Sequence, residues 1–355
     1  MRPFTALLLA FLAAVPVHAQ TREEITVEVV NVPVYIYEGT KPVQGLTAND
    51  FELLVNGKPQ PFDYFDVVDL GQPAARPNAP AGVAEQRRLF LLLFDMTFTT
   101  PERIVRGQRA ATALVEQKAP ADAFAVATFS RANGMELLLQ FTTEREAILG
   151  TVLTLRPRTA EIAGAESVME THEPAIVAFL DMAEQPSEIA GPTPLSLELA
   201  NAPIQRMAEL GVEGLAEMAE GLRKIDGFNK HVILISEGFR TGGSSRMTPL
   251  IEKMQETFQE ANAFLHALDS AGLRHTFKTG AGDSLRELAA GTGGQWLHNT
   301  NDLAGSLIAL SESYRSAYIL GFRPRAPRAG HNSIVVRVKN LPRGARVVYR
   351  RGFPA

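Results

Sequence analysis

Two short stretches carry oxygen-bearing side chains at spacings that can do chemistry. Asp95-Met96-Thr97-Phe98-Thr99 sets one carboxylate and two hydroxyls at alternate positions, and Ser236-Glu237-Gly238 sets a hydroxyl and a second carboxylate before a glycine. Each follows an almost wholly apolar run, Leu89 to Phe94 in the first case and Val232 to Ile235 in the second. A hard cation such as Mg²⁺ takes a shell of oxygens and leaves some positions to water or ligand. Asp95, Thr97, Thr99 and Glu237 are therefore the candidate metal-binding residues. The same residues also suit a metal-free role, in which Asp95 and the threonines bond loop amides and cap a helix. Glu237, held by backbone N–H groups, would likewise need no ion.

Other chemistries find less support. Phe94 to Thr99 resembles the aspartyl-phosphate loop of haloacid dehalogenase-like phosphatases and pumps, an alternative that makes Asp95 a nucleophile. That reaction needs a further acidic pair and a positioned Lys, and the nearest candidate, Gly282-Asp283, opens a helix after a loop. The chain has no Gly-x-Ser-x-Gly elbow, Walker loop or dinucleotide fingerprint, and Gly291-Thr292-Gly293-Gly294 reads as a turn. The histidines show no metal-ligand spacing. No catalytic and no organic-cofactor residue is assigned, and the chain is read as a non-enzyme.

The elements that must position these loops are legible from periodicity. Arg88 to Phe94, Phe124 to Phe129, His231 to Ile235 and Ala263 to Leu268 are apolar enough for strands buried on both faces of a parallel sheet. Leu137 to Phe141 completes a hairpin around Asn133-Gly134, and Gln295-Trp296-Leu297 is a short last strand. Thr100-Pro101-Glu102 opens a helix with a cap, a proline at its first turn and an acid at its positive end. Thr143 with Glu146 predicts a capping box for a helix to Leu155, and Thr248-Pro249 and Ser284 with Glu287 predict further helix starts. Ile204 to Ile225 and Leu303 to Tyr314 repeat at helical spacing. Alternating strands and helices predict an open, mostly parallel sheet with helices on both faces over 87–317. Residues 156–202, with scattered prolines and acids, form a partly helical insertion whose further structure is not assigned.

The flanks differ in character. Met1-Arg2, an apolar run from Phe4 to Val15 and small residues to Ala19 form a signal peptide over 1–19, too short for a membrane span of ~20 apolar residues. The mature chain is then periplasmic or secreted, cleaved near Ala19, with no later apolar run long enough to cross a membrane. The absence of cysteine excludes disulfides, thiolate metal sites and a lipid-bearing Cys. Residues 20–70 read as a small β module, with strands Thr26–Val30 and Val34–Tyr37, a break, bulge or edge position at Pro33 between them, and a hairpin at Asn56-Gly57. Residues 71–86 are a Pro- and Ala-rich linker. Residues 318–355 hold three more strands, which either pair with 20–70 in one sandwich or form a separate β piece.

The flanks and the two loops together resemble a family. The apolar strand ending in Asp95-x-Thr97-x-Thr99, the later strand ending in Ser236-Glu237-Gly238 and the helix–strand order look like a von Willebrand factor type A domain. Val43-x-Gly45-Leu46-Thr47-x-x-Asp50-Phe51-Glu52-Leu53, Asn56-Gly57-Lys58-Pro59-Gln60, Ala267-Leu268-Asp269-Ser270-x-Gly272-Leu273 and Tyr318-x-Leu320-Gly321-Phe322 are similar to the signatures of bacterial secreted VWFA-related proteins. The resemblance implies a metal-ion-dependent adhesion site: Asp-x-Ser-x-Ser on the first loop, a Thr on a second, an Asp on a third, and a divalent metal that takes an acidic group of a protein partner. Asp95, Thr97 and Thr99 match the first loop. Glu237 stands where Asp is usual, one methylene longer. The second-loop Thr has no match, its Gly-Thr setting being missing. The resemblance thus implies an exported adhesion or scaffold module with a degenerate site; a purely structural envelope component is the third reading.

Charge adds one observation. The formal net charge is −4, yet from Arg323 onward there are nine Lys or Arg and no acid. Such residues blunt strand edges; they also suit anionic envelope polymers or an acidic partner surface. Nucleic acid is not an expected partner, since basic and aromatic residues do not interleave.

Overall fold

The computed structural model describes residues 29–70, 87–156, 194–225, 229–239, 245–273, 281–324 and 330–354. The expected signal peptide, the linker and most of the 156–202 insertion lie outside the described residues.

In chain order the strands are β1 (Val30–Glu38), β2 (Lys41–Pro42), β3 (Phe51–Val55), β4 (Lys58–Pro59), β5 (Tyr64–Asp69), β6 (Leu89–Asp95), β7 (Ala123–Ser130), β8 (Gly134–Thr142), β9 (Lys230–Ser236), β10 (Ala263–Asp269), β11 (Trp296–Leu297), β12 (Ser316–Phe322), β13 (His331–Val338), β14 (Arg346–Tyr349) and β15 (Gly352–Pro354). The α-helices among the described residues are α1 (Pro101–Glu116), α2 (Arg145–Thr154), α3 (Pro194–Arg223), α4 (Met247–Glu260), α5 (Ala281–Thr292) and α6 (Leu303–Ser313).

The central sheet runs β11-β10-β9-β6-β7-β8 and is parallel except for the β7–β8 hairpin. Strands β6, β9 and β10 are buried at every residue, which is why their sequences do not alternate. One face packs Phe90, Leu92, Phe94, Ile233 and Ile235 against α1, α2 and α6. The other packs Leu91, Leu93, Val232 and Leu234 against α3, α4 and α5. Gly211 and Gly214 lie inside α3 without breaking it. A Cβ at Gly211 would stand 3.3 Å from the Phe129 ring, and one at Gly214 would stand 3.1 Å from Met135 Cε, so the small residues let the helix approach the sheet edge.

The two ends of the chain meet. Strands β14-β1-β12-β5 form one antiparallel sheet, and β15-β13-β3-β4 form another. Between them lie Val32, Val34, Ile36, Phe51, Leu53, Tyr318, Leu320, Phe322, Ile334, Val336 and Phe353. Alternate residues of β1 and β12 (Tyr35, Ala317, Ile319) turn the other way and join the core of the α/β unit. One sheet therefore serves two cores.

Several local expectations are narrowed or corrected. Of the break, bulge or edge position expected at Pro33, the edge is found: Pro33 pairs with Ile319 on one side, while on the other the β14 ladder starts only at Val34. The missing proline N–H thus falls where β14 has ended. The capping box at Thr143 and Glu146 does not form, because α2 takes Glu144 as its N-cap with no side-chain cap bond. Helix α3 begins at Pro194, inside the expected partly helical insertion, and carries Pro203 within it. Helix α5 starts at Ala281, ahead of Ser284.

Candidate functional site

Chain order turns back at β6: its helix leads to β7 on one side, while β9 lies on the other. Open α/β sheets leave a crevice outside the carboxyl ends of the strands at such a switch point. Asp95 ends β6 and Ser236 ends β9, so both loops singled out above open onto that crevice.

Asp95 is only 3% exposed. Its Oδ1 accepts the backbone N–H groups of Thr97 and Phe98, both at 2.9 Å, and its Oδ2 accepts the Ser236 hydroxyl at 2.6 Å. Burial pushes its carboxyl up to about 6, against the lowering by Ser236 and the two amides, and Glu237 adds a further push upward. Ser236 Oγ also accepts Gly238 N–H at 2.8 Å, where a φ of +82° suits glycine.

Glu237 turns toward the start of α1. Its Oε1 accepts Thr100 N–H at 2.9 Å and the Thr100 hydroxyl at 2.8 Å, while its Oε2 accepts from Arg103 Nη1. The helix N-terminus presents unsatisfied N–H groups and a positive dipole end, which a carboxylate complements. Thr100 is the N-cap residue, yet its side chain makes no cap bond to the helix and serves Glu237 instead.

Thr97 Oγ1 and Thr99 Oγ1 are buried, and among the described residues neither has a hydrogen-bond partner. Buried hydroxyls are nearly always satisfied, so these two are donors or acceptors in waiting. The four residues expected to form one metal shell thus divide. Asp95, Thr97 and Thr99 share one loop, and Glu237 is engaged with α1.

Tested against this geometry, a divalent ion finds a poor donor set. Both oxygens of each carboxylate already accept hydrogen bonds, and only two hydroxyls are left over. Among the described residues, no three His, Cys, Asp or Glu side chains gather as a metal group. Arg103 was not singled out in the sequence. Its signal was available: a cation in the first turn of a helix opposes the dipole and calls for a partner.

The neighbouring strand end extends the rim. Asp269 Oδ1 accepts Ala271 N–H at 3.0 Å, and Ser270 N–H donates to Ser236 O at 3.0 Å. Phe98 and Phe239 pack with ring centroids 5.2 Å apart. The phosphatase pair does not assemble on the Asp95 loop: Asp283 is 66% exposed and bonds Arg286 at 3.2 Å.

A mostly parallel sheet with one antiparallel edge strand, helices on both faces and an Asp-x-Thr-x-Thr loop at the switch point is a von Willebrand factor A-like α/β fold. No family model matches the chain, and no curated protein matches it. Among solved structures, a von Willebrand factor type A protein from Catenulispora acidiphila is 8% identical, with 93% of this chain and 75% of that one covered at a TM-score of 0.38. An aerotolerance-related membrane protein from Bacteroides fragilis NCTC 9343 is 9% identical, covering 64% of this chain and 98% of that one at a TM-score of 0.39. Proximal thread matrix protein 1 from the mussel byssus, solved with a zinc-occupied MIDAS motif, is 13% identical over 74% of this chain and 50% of that one, at a TM-score of 0.39. The fold assignment rests on this chain's own strand order and loops.

Proposed function

We propose that this is an exported, non-enzymatic adhesion or scaffold module that recognises a protein partner through the rim around Asp95, Thr97, Thr99 and Glu237. The observation that carries the reading is the pair of unpartnered buried hydroxyls, Thr97 Oγ1 and Thr99 Oγ1, at the switch point of the sheet. Two unsatisfied polar groups are costly in a lone protein and useful against a ligand. Export rests on the first nineteen residues; no helix among the described residues is long and apolar enough to cross a membrane.

A nucleophilic role for Asp95 is less well supported. Its carboxylate is sunk beneath the rim with both oxygens engaged, and no second acid stands on its loop. The purely structural reading explains the bonds of Asp95 and Glu237 but leaves the threonine hydroxyls without a task.

The test is capture of envelope proteins by the full mature chain, compared with Asp95→Ala and with the Thr97→Val, Thr99→Val double variant. The binding reading expects a defined partner that both variants lose while remaining folded by circular dichroism. Capture unaffected by either variant would remove the rim as the binding surface.

A further inference from the structure

The third-loop carboxylate of this rim faces a guanidinium rather than an open coordination position. Glu237 is 4% exposed, and its two oxygens accept from Thr100 N–H, the Thr100 hydroxyl and Arg103. The Arg103 side chain is 35% exposed, so one side of it meets Glu237 and the other meets solvent at the rim. A buried carboxylate must be matched by a cation or by strong donors. Here the match is made from within the chain. The extra methylene of Glu237, relative to the Asp implied by the family resemblance, takes the carboxylate to the first turn of α1.

We propose that Arg103 takes the place of a divalent ion at this rim: the native chain binds no such ion there, and its partner recognition is independent of metal. The proposal rests on the binding reading above only for its second half. Three features support the first half together. Glu237 is committed to α1, both oxygens of Asp95 are committed to Thr97, Phe98 and Ser236, and the Thr97 and Thr99 hydroxyls alone are two neutral donors. Mg²⁺ and Mn²⁺ sites draw on carboxylates or phosphates, and two hydroxyls do not replace the water that such an ion must shed. A guanidinium presents its positive charge in a fixed fork with several N–H donors, so it can hold Glu237 and still offer N–H groups outward to an anionic oxygen of a partner.

Loss of Arg103 has a consequence that loss of a merely structural ion pair would not share. Removing the guanidinium frees Glu237 Oε2 while Asp95 and Glu237 Oε1 keep their bonds, and that charged oxygen then joins the Thr97 and Thr99 hydroxyls as the donor that the native chain withholds. The probe is Mn²⁺, followed by the electron paramagnetic resonance signal of the free ion as full-length mature protein is added. Wild type is expected to leave the free-ion signal unchanged. Arg103→Gln is expected to withdraw Mn²⁺ in proportion to protein, with a matching rise in Tm on adding Mg²⁺. Arg103→Lys, which keeps the charge, is expected to behave as wild type. Should Arg103→Gln fail to fold, Glu237→Asp is read in its place: the shorter side chain draws back from Arg103 and is expected to gain the ion.

Withdrawal of Mn²⁺ by wild type, abolished by the Thr97→Val, Thr99→Val double variant, would overturn the proposal. So would a folded Arg103→Gln that withdraws none. Neither readout needs a partner, so failure here is distinct from failure of the binding reading. Once a partner is captured, chelator should leave its capture unchanged; capture lost on chelation and restored by Mg²⁺ would overturn the second half.

Discussion

The Ser236 hydroxyl donates to Asp95 Oδ2 at 2.6 Å, joining the carboxyl ends of two neighbouring parallel strands through their side chains. The bond holds the β6 loop and the β9 loop in one relationship. From there the Asp95 loop leads directly into α1, whose first turn holds Glu237 from the β9 loop. The candidate site is therefore a closed circuit, and perturbing any part of it should be measurable.

Asp95 sets a pH dependence. Its folded value of about 6 lies above the ordinary 3.8, so the folded state keeps its proton where the unfolded chain has lost it. The associated stability is complete below about pH 4 and is lost as pH rises through about 6. Relative to Asp95→Asn, wild type should lose on the order of 3 kcal/mol between those limits. Denaturant titrations of both proteins across that range check it; a constant difference would contradict the buried, protonatable carboxyl.

The two buried histidines act in the opposite sense. Gln295 N–H donates to His266 Nδ1 at 3.0 Å, so His266 carries its proton on Nε2 and donates it to His231 Nδ1 at 3.1 Å. Burial pushes His266 down to about 3, and burial, with His266 and Arg88 nearby, holds His231 well below its ordinary 6.5. Both lie below their unfolded values, so their stability is present above about pH 6.5 and lost as pH falls toward the folded values. Ring ¹⁵N shifts should report two neutral imidazoles, with His266 as the Nε2–H tautomer, at about pH 5, where a free histidine is mostly charged. An imidazolium pattern at either ring would disprove the assignment.

Helix α1 sits on the sheet through Gly107. A Cβ there would stand 2.5 Å from Ile235 Cγ2, one residue before Ser236. Gly107→Ala should cost about 1–3 kcal/mol by overpacking, despite a gain of up to about 1 kcal/mol in helix propensity. Adding Ile235→Ala should recover part of the loss, and a double-mutant cycle measures the coupling. Simple additivity would show that this contact does not set the seat of α1.

At the opposite end of the sheet, Arg88 and Asp122 are each 1% exposed and make two parallel bonds, at 2.8 and 2.7 Å. Arg88 also donates to Ser311 O in α6. Asp122→Ala leaves the guanidinium buried without its carboxylate, which should cost about 3–5 kcal/mol. Thermal and urea unfolding of the variant read it out. A loss under about 1 kcal/mol would mean that the pair is hydrated in solution.

Much of this architecture was legible in the sequence because its signals are local. Leu89 to Phe94 and Val232 to Ile235 are too uniformly apolar for anything but strands covered on both sides. Asn56-Gly57 has positive φ at both residues, 51° and 76°, as its hairpin turn requires. Pro101 opens α1 where the missing N–H costs nothing. The loops bearing Asp95, Thr97, Thr99 and Glu237 were recognisable as strand ends for the same reason. The misread or open positions are those where a distant neighbour decides. Thr143 reads as a cap until the β8 ladder extends to Thr142, and the choice among break, bulge and edge at Pro33 stays open until β14 is seen to start one residue later.

By itself the sequence determined which segments are strands and helices, and which side chains stand at the ends of the strands that matter, because backbone sterics and hydrophobic period act within a turn or two. Only the tertiary structure decided what those side chains face. Arg103 and Glu237 lie 134 positions apart, and Tyr35 and Asn229, which share a buried hydrogen bond, lie 194 apart. No local rule selects such partners. They are chosen when packing removes water from one group and leaves a single opposite charge or donor within reach, and that choice set the Glu237 carboxylate against Arg103.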